Sequence, residues 1–128
     1  MKSIFLLLVM LPGTLSAQQV KRTYYDRNQN LLKEKYGIIE LDTILPHGDY
    51  EMYSRMGNLI ITGHFKEGLK EGDFKNFYED GSLQRVTFYK GGLRQGSTTV
   101  FFPDGKLQQK AEFYNDTLIG ETLIYHAN

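Results

Sequence analysis

The chain is organised around the segment Phe77-Tyr78-Glu79-Asp80-Gly81-Ser82-Leu83, whose residue types return every 24 positions. Two series of glycines share this spacing. They are Gly57, Gly81 and Gly105 in one series, and Gly48, Gly72, Gly96 and Gly120 in the other. A fixed period of roughly 20 to 50 residues is typical of repeat architectures. We therefore interpret the chain as an array of short units, which argues against a fold built around one enzyme pocket.

Aromatic residues and leucines follow the same period. The three columns are Tyr53, Phe77, Phe101 and Tyr125; Leu59, Leu83 and Leu107; and Phe65, Tyr89 and Phe113. Five columns in register, counting the glycines, are more than chance supplies. The aromatic columns predict rings that stack from one unit to the next, and each such pair is worth roughly 0.2 to 1 kcal/mol.

Each unit reads as two strands joined by turns. The segment Asp73–Tyr78 ends at Asp80-Gly81, and Gly there supports the positive φ of a tight hairpin turn. The next segment, Leu83–Tyr89, would place its odd-numbered residues on one face. A second connection follows at Lys90–Gly96, and no helical apolar period appears after residue 17. The sequence predicts an all-β protein, an elongated and twisted antiparallel meander of about eight or nine strands.

The N-terminal unit is predicted to be irregular. Tyr24–Leu31 resembles a hairpin that has lost its glycine, and Leu31 precedes Leu59 by 28 positions, four more than the period. We accordingly expect an insertion or an irregular loop within 36–46. The predicted organisation is an irregular capping repeat over residues 18–52 and regular repeats over 53–128, after a leader over 1–17.

The leader has the pattern of a secretory signal peptide. Lys2 precedes the apolar run Ile4–Leu11, and Leu15-Ser16-Ala17 supplies a small-residue cleavage site. The apolar run is short of the about 20 residues that a membrane span needs. Cleavage after Ala17 would yield an exported protein, periplasmic or secreted, without an integral membrane span.

The composition argues against nucleic-acid binding and excludes disulfide bonds. The chain has 15 basic and 15 acidic residues, and the leader removes only Lys2, so the exported form is not basic and nucleic acid is not an expected partner. There is no Cys, so disulfides are unavailable. With 9 Tyr, 8 Phe and no Trp, the tyrosines and phenylalanines must supply much of the apolar burial.

The units resemble MORN repeats. Phe65–Gly72 and Phe77–Leu83 are similar to the bacterial, antitoxin-type MORN variant, in which Tyr-Tyr-x-Asn-Gly-x-Leu is followed by Tyr-x-x-Gly-x-x-x-Gly. The resemblance covers Tyr24–Tyr125. It implies a sheet used as a scaffold or interaction surface, with no catalytic residues to carry over.

The sequence offers no convincing catalytic or metal-binding motif. His47, His64 and His126 occupy different repeat positions, which favours surface or turn histidines over zinc ligands. Gly81-Ser82 and Gly96-Ser97 lack the remainder of a nucleophile elbow. Five acidic residues cluster around one unit and alternate with lysines, which favours a solvated charge pattern over a catalytic or calcium site. They are Glu67, Glu71, Asp73, Glu79 and Asp80. We expect no cofactor, no metal and no enzymatic activity.

The aromatic doublets Phe77-Tyr78 and Phe101-Phe102 are the candidate interaction surface. If one member of each faces outward, the doublets form a stripe with a spacing of roughly 10 Å. The alternative is that both members pack. The full predicted surface is Tyr53, Phe77, Tyr78, Phe101, Phe102 and Tyr125.

Three functions remain open at the level of sequence. The first is an exported, non-enzymatic scaffold that binds an unidentified protein at the cell envelope. The second is a glycan or peptidoglycan-binding module, and the third is an accessory to an envelope hydrolase with a cryptic site. Open sheet edges predict self-association. Asn115-Asp116-Thr117 is an N-glycosylation sequon, and Asp42-Thr43-Ile44 and Asp116-Thr117-Leu118 resemble bacterial O-glycosylation motifs with Thr43 and Thr117 as acceptors.

Overall fold

A computed structural model describes residues 19–127 as a single antiparallel β-sheet. The ten strands are β1 (Gln19–Tyr24), β2 (Leu32–Glu40), β3 (Ile44–Tyr53), β4 (Leu59–Lys66), β5 (Leu69–Lys70), β6 (Gly72–Phe77), β7 (Leu83–Lys90), β8 (Leu93–Phe101), β9 (Leu107–Tyr114) and β10 (Thr117–Ile124). Their order in the sheet follows the chain, with β5 paired to β4 beside β6. The all-β meander is confirmed. The predicted signal peptide lies outside the described residues.

Glycine turns close one end of the sheet. In the loop after β6, the N–H of Gly81 donates to the carbonyl of Tyr78 at 2.9 Å, and the N–H of Tyr78 donates to the carbonyl of Ser82 at 2.9 Å. Gly81 has φ 87°. This is a three-residue loop, a type I turn followed by a left-handed glycine. Gly57 and Gly105 repeat it with φ 85°.

Two-residue turns close the opposite end. Both central residues have positive φ in Glu67-Gly68, Gly91-Gly92 and Asn115-Asp116, as a type I′ turn requires. Each turn also donates a backbone hydrogen bond to the preceding unit. The bonds are Gly68 N–H to Pro46 O at 2.8 Å, Gly92 N–H to Lys70 O at 2.9 Å and Asp116 N–H to Arg94 O at 3.0 Å. These hydrogen bonds fix the register of each hairpin relative to its neighbour.

The second glycine series forms bulges inside strands. Gly96 has φ 80°, and the pairing of β7 with β8 shifts there, from Thr87 against Thr98 to Tyr89 against Arg94. The equivalent Gly72, with φ 78°, follows the break that separates β5 from β6. This break raises the number of strands to ten, above the eight or nine that the sequence predicts.

The segment within residues 36–46, predicted to hold an insertion or an irregular loop, contains an insertion of three residues. Leu32, rather than Leu31, pairs with Tyr24 as Leu59 pairs with Tyr53, so the true offset is 27 residues. The three extra residues lengthen the β2–β3 hairpin. The pair Ile39–Leu45 is equivalent to the pair Lys66–Leu69, and five residues lie between the first two against two between the second. The β2–β3 hairpin gains the pair Glu40–Ile44 and closes with three residues. An extended hairpin accommodates them.

The single layer has little fully buried volume. Phe74 and Ala111 are the buried apolar residues of the described chain, and Ser54 and Thr87 are the buried polar ones. One face carries the aromatic residues that meet across strands, and the other carries mixed polar and apolar side chains. No helix within residues 19–127 has the length and apolar character needed to span a membrane.

Candidate functional site

Five aromatic rings on five strands, β2, β3, β4, β6 and β7, form a continuous row on one face of the sheet. We call Tyr36, Tyr50, Phe65, Phe74 and Tyr89 the aromatic row. Ring centroids of Tyr50 and Phe65 are 5.4 Å apart with an interplanar angle of 75°, and those of Phe74 and Tyr89 have the same values. Edge-to-face pairs at this distance are favourable beyond the area they bury.

Strand register brings the row together. Tyr36 lies opposite Tyr50, which lies opposite Gly63, and Phe74 lies opposite Thr87. Gly63 leaves room for its neighbour, because a Cβ built on Gly63 would stand 2.5 Å from the Phe74 ring. The row ends after Tyr89, since Thr98 takes the place that Phe74 has one unit earlier.

Cationic side chains cover the rings in the later units. The Lys70 Nζ lies 4.8 Å from the ring centroids of both Phe74 and Tyr89. One unit on, the Arg94 guanidinium lies 4.0 Å from the Phe113 ring. Arg94 also donates from Nε to the Asp116 carboxylate at 2.8 Å. Both cations use the negative face of an aromatic ring, a favourable electrostatic contact.

A groove of about 280 Å³ runs along the aromatic row. Its lining residues are Glu34, Tyr36, Pro46, Tyr50, Ile61, Phe65, Lys70 and Phe74. Apolar and aromatic walls with a few charged groups are typical of binding sites. The groove places a carboxylate and an ammonium group on different strands, with four rings between β2 and β6.

Two hydroxyl groups hold the Glu34 side chain. Its carboxylate accepts hydrogen bonds from the Tyr50 hydroxyl at 3.0 Å and from the Thr23 hydroxyl at 2.7 Å. No lysine or arginine within residues 19–127 forms an ion pair with it. Burial, followed by the hydrogen bond to Glu34, raises the pKa of Tyr50, so its hydroxyl stays a donor. The Glu34 side chain thus lines the groove without a lysine or arginine partner among the described residues.

The six residues predicted as an interaction surface lie at or beside strand ends, near the glycine loops. Tyr53, Phe77, Tyr78, Phe101 and Phe102 are half-buried, and Tyr125 is exposed. Tyr78 donates from its hydroxyl to the carbonyl of Phe101 at 2.7 Å, which ties two consecutive units together. Tyr53 donates to the Glu51 carboxylate at 2.8 Å. The interaction role of these residues stays a prediction.

Residues considered for chemistry occupy structural positions. The Nδ1 of His47 accepts from the N–H of Glu67 at 3.1 Å, and the Glu71 carboxylate accepts from the N–H of Gly91 at 2.9 Å. His64 lies 3.1 Å from the Asp49 carboxylate. Among residues 19–127, no His, Cys, Asp and Glu cluster could hold a metal ion.

Sequence reasoning missed the groove residues Glu34, Tyr36 and Tyr50. Tyr50 precedes Phe74 by 24 positions, so the period held a signal that could have placed both rings in one column. Tyr36 and Glu34 precede the three-residue insertion, and the period could not align them. The pairing of β2 with β3 places both side chains on the face of the aromatic row, because Tyr36 lies opposite Tyr50 and Glu34 lies two residues before Tyr36 on the same strand.

The β10 edge exposes apolar residues on both faces. Within the described chain, β10 pairs with β9 alone. Leu118 and Ile124 lie on the face of the aromatic row, because they pair with Phe113 and Gln109. Ile119 and Leu123 lie on the opposite face. All four are between 48% and 66% exposed, so this edge is apolar and open.

Comparison with known proteins identifies the repeats. Residues 70–90 and 94–116 match the family model described as MORN repeat variant. These two segments correspond to β5–β7 and to β8–β9 with the turn that follows. No curated protein and no solved structure gave a significant match.

Proposed function

Because its repeats place this chain in the MORN-repeat family, we propose that it is an exported scaffold that binds another protein at the cell envelope. MORN repeats are generally protein-interaction or membrane-interaction repeats, and the family is a non-enzymatic scaffold. Binding uses the aromatic row and its groove.

The groove along Tyr36, Tyr50, Phe65 and Phe74 carries this proposal. These rings are fixed by cross-strand pairing, so little side-chain freedom is lost when a partner covers them. Aromatic anchors of this kind dominate the energetics of protein interfaces. A sheet face that spans several units also offers the extended surface that repeat proteins use for binding.

The export part of the proposal rests on the leader at residues 1–17. The mass of the protein recovered from the envelope or the medium tests it. A chain beginning at Gln18 is the expected result. A full-length chain confined to the cytoplasm would overturn export without affecting the binding surface.

Capture of partners by the tagged full chain tests the binding surface. The wild type is compared with Tyr36→Ser, which alters the row, and with Phe88→Ser, which alters an exposed aromatic on the opposite face. Each captured protein is purified and bound again in isolation. Circular dichroism establishes that all three chains are folded.

Loss of rebinding with Tyr36→Ser alone supports the proposal. Equal binding by all three chains would remove the aromatic row from the interface. The double variant Tyr78→Ser and Phe102→Ser then tests the aromatics of the glycine loops. Sedimentation of the wild type with peptidoglycan, without any protein partner, would favour the glycan-binding alternative.

A further inference from the structure

We infer that the groove receives a lysine or arginine side chain from the partner protein, seated over Tyr50 and Phe65 and facing the carboxylate of Glu34. This inference rests on the proposed function and adds the chemistry of the partner. Equivalent positions of successive units within the chain support it.

The 24-residue period makes Pro46 the equivalent of Lys70 and Arg94. Strand pairing agrees, since Pro46 lies opposite Ile38, Lys70 lies opposite Phe65, and Arg94 lies opposite Tyr89. At the two later positions the chain supplies a cation over a ring. The first position holds Pro46, which has no charge and therefore cannot place a cation over a ring.

The rings that Pro46 leaves uncovered have the same geometry as a covered pair. Tyr50 and Phe65 meet at 5.4 Å and 75°, and so do Phe74 and Tyr89, over which Lys70 lies. Within residues 19–127, no lysine or arginine lies over Tyr50 or Phe65. The groove of about 280 Å³ opens at this place.

Charge selects a cation for the groove. Glu34 is partly buried and, among residues 19–127, has hydroxyl partners only, so an incoming ammonium or guanidinium group would find a carboxylate without a cationic partner. Lys21 shares this face beside Tyr36 but makes no ion pair with Glu34. Lys70, at the far side of the groove, is already engaged with Phe74 and Tyr89.

Nuclear magnetic resonance titration of the full chain tests this inference. The probe is the peptide acetyl-Gly-Lys-Gly-amide, and its counterpart with an acetylated lysine ε-amine is the uncharged control. We expect the lysine peptide to shift the resonances of Tyr36, Tyr50 and Phe65. Acetylation should weaken binding by roughly three-fold to ten-fold or more, as expected for loss of a cation–π contact and its ionic partner.

Two variants make the test specific to the groove. Pro46→Lys restores the residue type of the next unit, so an internal cation should occupy the rings and abolish peptide binding. Glu34→Gln removes the charge while keeping one acceptor oxygen for the Tyr50 or the Thr23 hydroxyl, and should weaken binding several-fold. Glu51→Gln, on the opposite face, is the matched control and should leave binding unchanged.

Equal binding of the two peptides would overturn the inference, as would unchanged binding by Pro46→Lys in a folded chain. Glu34→Gln keeps the test decisive if Pro46→Lys does not fold. Failure here leaves the proposed function standing when partner rebinding still depends on Tyr36. Loss of that dependence would instead remove the proposed function itself. A choline head group that binds as tightly as the lysine peptide would indicate a lipid surface and overturn a protein partner.

Discussion

The carboxylate of Glu71 accepts a hydrogen bond at 2.9 Å from the backbone N–H of Gly91, which opens the two-residue turn of the next unit. The amide oxygen of Gln95 does the same for Asn115 at 3.2 Å. A side chain from one unit thus caps the turn of the next. This is a direct physical form of the coupling between neighbours that gives repeat proteins their stability.

Glu71→Ala should therefore destabilise the fold, and Glu71→Gln should not. Alanine leaves the N–H of Gly91 without its partner, at a cost of about 0.5–1.5 kcal/mol. Glutamine keeps an acceptor, as Gln95 demonstrates one unit later. Urea unfolding measures both. Equal destabilisation by the two variants would mean that the charge of Glu71, rather than the hydrogen bond, matters.

Gly63→Ala should disturb the aromatic row. The new methyl group would stand 2.5 Å from the ring of Phe74, which is only 5% exposed. Gly63 has no left-handed φ, so the cost of about 1–3 kcal/mol comes from overpacking. Thermal unfolding measures it.

Phe74→Leu provides the control for this clash. Combined with Gly63→Ala, it should cost less than the sum of the two single changes, because leucine removes the atoms that the methyl group would meet. Strict additivity in this double-mutant cycle would argue against direct contact between the two positions.

Asp116 should contribute stability that disappears in acid. Its hydrogen bonds with Arg94, from the side chain first and then from the backbone, hold the pKa of its carboxyl below the ordinary value of 3.8. A lowered pKa in the folded state means that the contribution is complete above pH 3.8 and is lost as the pH falls below it.

Asp116→Asn tests this sign. Unfolding of the wild type and of the variant is followed by denaturant titration at several pH values. The difference in stability should be largest near neutral pH and should shrink below pH 3.8. A difference that does not change with pH would assign the effect to the turn conformation of residue 116 instead.

We predict that β10 pairs with β10 of a second copy. The nine-strand path from β1 to β10 alternates in direction, so both edges run the same way. Antiparallel extension that keeps the aromatic row on one face therefore needs a two-fold axis. Like charges on Lys21 and Arg22 oppose the equivalent pairing of two β1 edges, whereas β10 is mostly apolar.

Ile124→Lys should abolish this association. Ile124 is 66% exposed on the edge, and a lysine there would bring like charges to the paired strands. Met56→Lys, at a 77% exposed turn position, is the control. Analytical sedimentation should show dimers for the wild type and for Met56→Lys. A wild type that stays monomeric at the highest concentration would contradict the prediction.

The sequence alone determined the period, the strands and most turns. Gly57, Gly81 and Gly105 hold positive φ, a backbone conformation that is encoded locally because glycine has no Cβ. The turn at Asn115-Asp116 adopts the same conformations as Gly91-Gly92 without glycine, which agrees with the tolerance of asparagine and aspartate for this region. Local preferences of this kind are readable from residue types and their spacing.

Only the tertiary structure decided which side chains meet. Tyr36 joins Tyr50 because the longer β2–β3 hairpin absorbs three extra residues, and the period cannot register such a shift. The groove is lined by Glu34 and Pro46, while Lys70 lies over the next rings along the row, Phe74 and Tyr89. These relationships arise from cross-strand register, where a slip of one residue would turn every side chain to the opposite face.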